Sequence, residues 1–283
     1  MTPCLSQITT FQPPLASALA SYADAGWTSV ELWLGAMEAL FDAGETLQAA
    51  AQAFRQAGIR PVAAAGQGGL MGPSGPRRDA SWTLYRRRLE WLETLEVPVL
   101  VLAPDFPDRP SGEDLARAAE SLSQAATEAA SRGLRLALEP QKSAAFCASL
   151  DTALAFIAHS EAPGAGVCLD LFHFYTGPSK SEDLALLTPD NLLHVQVCDL
   201  AGVPRELADD ADRILPGEGD LPVEALLRHL HQIVEYRGPV SLETLNPLFR
   251  QMPVSNVASF ARQSLDRVLA AATRPHSSEG SVP

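Results

Sequence analysis

LRLALEP, residues 134–140, is an apolar run of strand-forming residues that stops on a carboxylate, Glu139. The pattern returns downstream in GVCLDLFH (166–173) with Asp170, in HVQVCD (194–199) with Gln196 and in PVSLET (239–244) with Glu243. Successive runs lie roughly 25–45 residues apart, the length of a strand–helix unit. Carboxylates are rarely buried unless they are paired or hold a metal. Four oxygen-bearing side chains brought to one end of a barrel would make a site for a hard cation.

Working outward, strand and helix patterns alternate along the chain. The sequence predicts strands at Leu5–Thr9, Ser29–Trp33, Pro61–Ala65, Pro98–Ala103, Leu134–Glu139, Gly166–Asp170, Leu192–Cys198 and Pro239–Glu243. Between them lie helical periodicities, as in 113–132, where Leu115, Ala118, Ala119, Leu122, Ala125, Ala126 and Ala129 share a face. Gly26, Gly58 and Gly133 stand where a left-handed residue closes a last helical turn. Eight strands, each followed by a helix, predict a single-domain α/β fold, a (β/α)₈ TIM barrel over residues 1–273. No G-x-G-x-x-G follows the first strand, so an open dinucleotide-binding sheet has no local support. The Gly/Pro-rich stretch GQGGLMGPSGPR (66–77) follows the third strand and is expected on the face where barrels keep their sites, as a mobile lid. The tail RPHSSEGSVP (274–283) has no periodicity and is expected to be disordered.

Composition narrows the function classes. The 283 residues are 46% hydrophobic and 19% charged, ample for one large core, and the net charge is −13. Such a surface repels phosphate backbones, which argues against nucleic acid as a partner. MTPCLSQITT has neither the basic nor the apolar region of a signal peptide, and no apolar run is long enough to span a bilayer, so a cytoplasmic protein with no membrane partner is expected. Cys4, Cys147, Cys168 and Cys198 lack paired zinc spacing and read as reduced, packed thiols.

Catalytic groups of barrels sit at the C-terminal strand ends, where Glu139, Asp170 and Glu243 fall. In the seventh strand His194 and Gln196 share a face. Imidazole is the commoner ligand by chemistry, whereas Gln196 lies nearer the strand end, and its amide oxygen suits a hard ion. Position favours Gln196 and leaves His194 as a buried, hydrogen-bonded core residue.

Six motifs carry a resemblance: GWTSVELW (26–33), LALEP (136–140), LDLFH (169–173), HVQVCD (194–199), RILPGEG (213–219) and YRGPVSLE (236–243). In that order and at strand–helix spacing, they make the chain resemble the xylose isomerase-like barrel superfamily of sugar isomerases and epimerases, to about Leu269. The resemblance implies that Glu139, Asp170, Gln196 and Glu243 hold one divalent metal ion, with Mn²⁺ the first choice and Mg²⁺ or Co²⁺ the alternatives. It further implies that Glu139 and Glu243 flank the reacting carbon as catalytic acid and base, that His173 and Arg213 contact substrate, and that Glu31 lies near the site. Glutamine at 196 is similar to hydroxypyruvate isomerase-like and 3-dehydroshikimate dehydratase-like members.

The chain departs from ketose 3-epimerases, which carry a further acid soon after the fifth-strand glutamate, where Gln141, Lys142 and Ala145 stand here. Lys142 is a candidate for binding an acidic substrate group, and Trp33 for an apolar pocket wall. The plainer alternatives are a solvated Lys142, a packed core Trp33, a structural pairing of Glu31 and a surface ion pair of Arg213 with Asp209 or Asp212. The function expected is a metal-dependent isomerase or epimerase, acting through an enediolate on a small sugar, sugar phosphate or hydroxy-carbonyl acid. A 3-dehydroshikimate dehydratase-like lyase is the runner-up, and a non-catalytic ligand-binding relative ranks low. A homo-oligomer is left open.

Overall fold

In the computed structural model, which describes residues 1–10, 14–106 and 108–274, eight parallel strands close on themselves in sequence order. They are β1 (Thr2–Ser6), β2 (Ser29–Trp33), β3 (Arg60–Gln67), β4 (Val99–Leu102), β5 (Arg135–Leu138), β6 (Gly166–Asp170), β7 (Leu192–Val197) and β8 (Pro239–Leu242). The helices are α1 (Leu15–Asp24), α2 (Leu34–Asp42), α3 (Leu47–Ala57), α4 (Pro76–Thr94), α5 (Gly112–Ala130), α6 (Leu150–His159), α7 (Leu171–Thr176), α8 (Val223–Gln232), α9 (Pro247–Arg250) and α10 (Val254–Thr273). The result is the single-domain (β/α)₈ TIM barrel expected. Closure is made by β1 against β8, with Thr2 opposite Pro239 and Leu5 opposite Leu242.

Local chemistry sets the element ends. The Thr46 side chain accepts the Ala49 N–H at 3.1 Å and starts α3, and Ser111 with Asp114 forms a capping box on α5. Gly58 and Gly133, at φ 66° and 77°, close α3 and the end of α5 as the sequence predicts. The first strand is the misplaced one: it ends at Ser6, not Thr9, because Gln7–Thr9 turns into a 3₁₀ helix. Thr9 takes its bonds outside any ladder. Its hydroxyl donates to the Leu242 carbonyl at 3.3 Å and accepts the Thr244 N–H at 3.1 Å.

Alternation along each strand separates two environments. Leu5, Leu32, Leu100, Leu136, Leu169 and Val195 face the helices and belong to the main apolar core. The other parity points into the barrel and is small or polar, including Cys4, Ser6, Glu31, Cys168, His194 and Ser241, all buried. The shell is pinned by a few buried polar tips. Trp27 Nε1 donates to the Ala258 carbonyl at 2.9 Å, and the Tyr85 hydroxyl donates to the Ala125 carbonyl at 2.6 Å. All four cysteines are free and buried. No helix among the described residues is long and apolar enough to cross a membrane. The tail expectation falls almost wholly on 275–283, outside the described residues.

Candidate active site

The inward parity ends, at the C-terminal mouth, in acids. Asp170 is the last residue of β6, and Glu139 and Glu243 come one residue after β5 and β8. Both glutamates keep strand geometry, since the Glu139 N–H reaches the Leu102 carbonyl and the Glu243 N–H the Val197 carbonyl, each at 3.0 Å. Their side chains are nearly closed to solvent, as are those of Glu31, Gln196 and Arg213.

Two groups form within this ring. In one, Glu139, Asp170 and His173 each offer a ligand atom, all within 4.8 Å of one another. Asp170 also caps α7, its Oδ1 accepting the His173 N–H at 3.1 Å, which fixes the histidine beside the carboxylates. In the other, Gln196 Nε2 donates to Glu31 Oε1 at 2.8 Å and to Glu243 Oε1 at 3.2 Å. Ser6 Oγ donates to Glu243 Oε1 at 3.2 Å, and Ser241 Oγ to Glu31 Oε2 at 2.6 Å. The Gln196 oxygen takes the Cys168 thiol at 3.1 Å.

Arg213 joins the two groups. Its Nη1 lies 2.6 Å from Asp170 Oδ2 and 3.5 Å from Glu243 Oε2, while Nε and Nη2 hold Asp210 Oδ1 at 2.9 and 2.8 Å. The guanidinium stacks 4.4 Å from the Phe172 ring centroid. The surface pairing with Asp209 or Asp212 considered from sequence is therefore replaced by a buried one, with Asp210 as the loop partner.

Asp199, which sequence reasoning passed over, builds the loop that carries Arg213. It is fully buried, and its backbone exchanges two 2.9 Å hydrogen bonds with Ile214. Its Oδ1 accepts the Leu200 and Leu221 N–H groups, each at 2.9 Å, and Oδ2 accepts Gly217 N–H at 2.8 Å. The signal was present in HVQVCD, where an acid closes a strand with no charge partner nearby in sequence.

The other candidates divide. Glu31 sits at the floor of the site, 3.4 Å from His194 Nε2. Neither ring nitrogen of His194 makes a hydrogen bond, so the residue is buried as expected but not satisfied as expected. Lys142 is not a solvated lysine: Nζ donates to the carbonyls of Ala208 at 2.6 Å and Arg205 at 3.4 Å. Trp33 is half-buried where β2 ends, its indole packed over Gly35 so closely that a Cβ there would lie 2.6 Å from the ring. Gln141 Nε2 donates to Glu139 Oε2 at 2.8 Å. Beyond Gln141 opens a cavity of about 290 Å³, walled by the loop after β3 and by Phe106.

Crowding of acids sets their protonation. Burial, then the charge of Asp170, pushes the Glu139 carboxyl up to about 8. Burial and the charge of Glu31 push Glu243 well above the usual carboxylate range. Burial acts to raise Asp170 as well, but Arg213 and His173 outweigh it and hold the group below its ordinary value. Burial lowers His173 and favours its neutral imidazole. Four buried carboxylates against one guanidinium leave an unmet demand for positive charge. The carboxylates of Glu139 and Asp170 and the neutral imidazole of His173 are donors a divalent cation takes, so that group fits such an ion, whereas Gln196 turns its N–H groups to the acids and its oxygen to Cys168.

A buried acid cluster stands at the C-terminal mouth of the barrel, the face on which (β/α)₈ enzymes keep their active sites. Residues 19–267 match the family described as xylose isomerase-like TIM barrel, and the chain belongs to that family. It is 27% identical to an inosose isomerase of Halalkalibacterium halodurans over 104 residues, 37% of this chain and 36% of that protein. It is 26% identical to a 3-dehydroshikimate dehydratase of Pseudomonas aeruginosa over 169 residues, 59% of this chain and 26% of that protein. The matches thus span about a third and a quarter of those relatives' lengths. The IolI protein with a bound zinc atom superposes with a TM-score of 0.87 at 20% identity, over 97% of this chain and all of that one, a likeness of fold.

Proposed function

We propose that the protein is a divalent-metal-dependent isomerase or epimerase that moves a proton next to a carbonyl on a small polyhydroxylated substrate. The observation that carries this reading is the buried acid cluster at the mouth, in which Glu139 and Glu243 end their strands and both carboxyls are pushed above the usual carboxylate range, Glu139 to about 8. A carboxyl that titrates near working pH is suited both to remove and to return a proton. Inosose isomerase, similar in part to this chain, fits the same class.

Glu139 and Asp170 with His173 are the proposed metal ligands, joined by Glu243 and by Gln196 once its amide turns its oxygen from Cys168 to the cluster, and Mn²⁺ is the proposed ion. When bound, such an ion draws electron density from a carbonyl and its neighbouring hydroxyl. The chain's own groups do the rest. Glu139 takes the proton from the carbon and Glu243 serves the other face. Gln141 holds Glu139 in place through its 2.8 Å bond. Arg213, with donors aimed at the cluster, steadies developing negative charge, and His173 lies 3.5 Å from it. Burial of the cluster keeps water from competing for these bonds.

A dehydratase is the second reading, favoured by the longer match to 3-dehydroshikimate dehydratase and by glutamine in the seventh strand. One experiment separates them. The Mn²⁺-loaded protein is incubated in D₂O with ketoses, ketose phosphates, an inosose and 3-dehydroshikimate, and products are read by mass and ultraviolet absorbance. An isomerase leaves deuterium beside the carbonyl without loss of mass as water. A product lighter by one water, with a new conjugated absorbance, assigns the chain to the lyases.

A further inference from the structure

We propose that the cavity beyond Gln141 is an anion subsite in which Arg77 binds a carboxylate or phosphate at the far end of the substrate. The inference rests on the reading above that the reacting end lies at Glu139. Gln141 is the shared wall: its amide touches Glu139 and its side chain lines the cavity with Arg77, Asp105, Phe106 and Ser143. At about 290 Å³ the cavity equals about ten water volumes, room for a charged group on a short carbon arm.

The cations on the cavity wall and beside the acids differ in what already holds them. Arg213 is taken by Asp170, Asp210 and Glu243. Lys142 is taken by two carbonyls. Arg78, also on the cavity wall, donates Nε to the Leu70 carbonyl at 3.0 Å and Nη2 to the Ser121 hydroxyl. Among the described residues, the Arg77 guanidinium makes no hydrogen bond and no ion pair. Its planar fork of donors matches a carboxylate or phosphate in two parallel bonds.

Arg77 is exposed at the cavity wall. Asp105, the acid of the cavity, spends its carboxylate on the Gly69 and Leu70 N–H groups and feels Arg77 only through space. It holds the loop so tightly that a Cβ at Gly68 would lie 2.7 Å from Asp105 Oδ1. The reacting end has the opposite character. Its one guanidinium, Arg213, is held by acids, so a substrate anion finds no free cation beside Glu139, whereas Arg77 lines the cavity past Gln141. Phe106, in edge contact with Phe146 at 5.2 Å between centroids, backs the space with an apolar wall that strengthens a charge-assisted bond.

The test is equilibrium binding to the full chain loaded with Mn²⁺, using 3-dehydroshikimate, D-fructose 6-phosphate and D-fructose as carboxylate, phosphate and neutral probes. At least one acid should bind more tightly than D-fructose, and which one binds names the anion. Arg77→Gln should weaken that acid about 10–100-fold, the span of a charge-assisted hydrogen bond, and change D-fructose by less than about twofold. Arg77→Lys should recover part of the loss, since it restores charge without the fork. An acid affinity within about threefold of wild type in Arg77→Gln, an equal loss for D-fructose, or no preference for either acid overturns the proposal. The D₂O assay is read separately. If no probe exchanges hydrogen but Arg77→Gln still weakens the acid, the catalytic reading fails and the subsite stands; intact exchange with no effect of Arg77→Gln is the reverse.

Discussion

Asp199→Asn should lower stability and turnover together, although Asp199 touches none of the carboxylates that ring the mouth. The substitution keeps size and shape and replaces one acceptor oxygen by a donor. The best amide orientation leaves its oxygen where Oδ1 now takes two N–H groups at 2.9 Å. The new NH₂ then faces the Gly217 N–H, donor against donor, where a 2.8 Å bond stood. A charge-assisted bond is worth about 1.5–3 kcal/mol, and the two that survive fall toward neutral strength at about 1 kcal/mol each. Gly217 is exposed, so water recovers part of its loss. The net is about 2–4 kcal/mol, or roughly 4–15 °C in Tm for a domain of this size. Because the same loop carries Arg213, a shift of the guanidinium by about 1 Å should also cost on the order of 10²-fold in turnover. Thermal melts, urea titration with an unchanged slope and the deuterium-exchange rate measure the three quantities. A melt within about 1 °C of wild type would refute the assignment of Asp199 as the organiser of this loop.

Glu139→Gln and Glu243→Gln should each cut turnover by at least about 10²-fold with the fold intact by circular dichroism, the scale of losing an acid or base. EDTA should abolish exchange, and Mn²⁺ should restore it better than Ca²⁺; full activity after exhaustive chelation contradicts the mechanism. Without metal, Glu139 titrates near 4.5 when unfolded and near 8 when folded, so its contribution is present at low pH and is lost as pH rises through about 8. Tm in EDTA should therefore fall over that window and hold steadier in Mn²⁺, and identical profiles with and without metal would argue against ion binding at Glu139. His194→Gln should lower Tm and keep the metal, while Gln196→Ala should weaken metal binding; the opposite pattern by metal analysis makes His194 the seventh-strand ligand.

Strand identity was readable from sequence wherever polarity changed sharply at a strand end. The bounds of β2 and β6 agree with expectation residue for residue, because Trp33 and Asp170 both close β-branched or apolar runs. The first strand slipped because Ile8, Thr9 and Thr10 have strand propensity, yet Thr9 serves the β8 end through its hydroxyl. The acids of the mouth were legible for the same reason as the strands. What sequence could not show is who neutralises them. Arg213 reaches Asp170 across 43 positions, and Lys142 reaches the Ala208 carbonyl across 66. Such pairings are set by how loops fold over the mouth and leave no periodic trace. Arg77 stands in a Gly/Pro-rich stretch that read only as a loop, and its place on the cavity wall shows only in the fold.

The closing strand pair has a consequence for how the molecule is made. Ser6 donates to Glu243 across the β1–β8 junction, 237 positions apart, so the last acid arrives with the last strand. During synthesis β1 must wait for β8, and at about 5–20 residues per second that interval is roughly 12–50 s. Through that time the nascent sheet is open along one side, and the acids of the second, fifth and sixth strands lack the neighbour that completes their ring. Folding of the final strand therefore does two jobs in one event, sealing an aggregation-prone edge and completing the acid cluster. A chain halted short of Leu242 lacks Glu243 and should give no exchange under the proposed mechanism, so turnover would count only finished barrels.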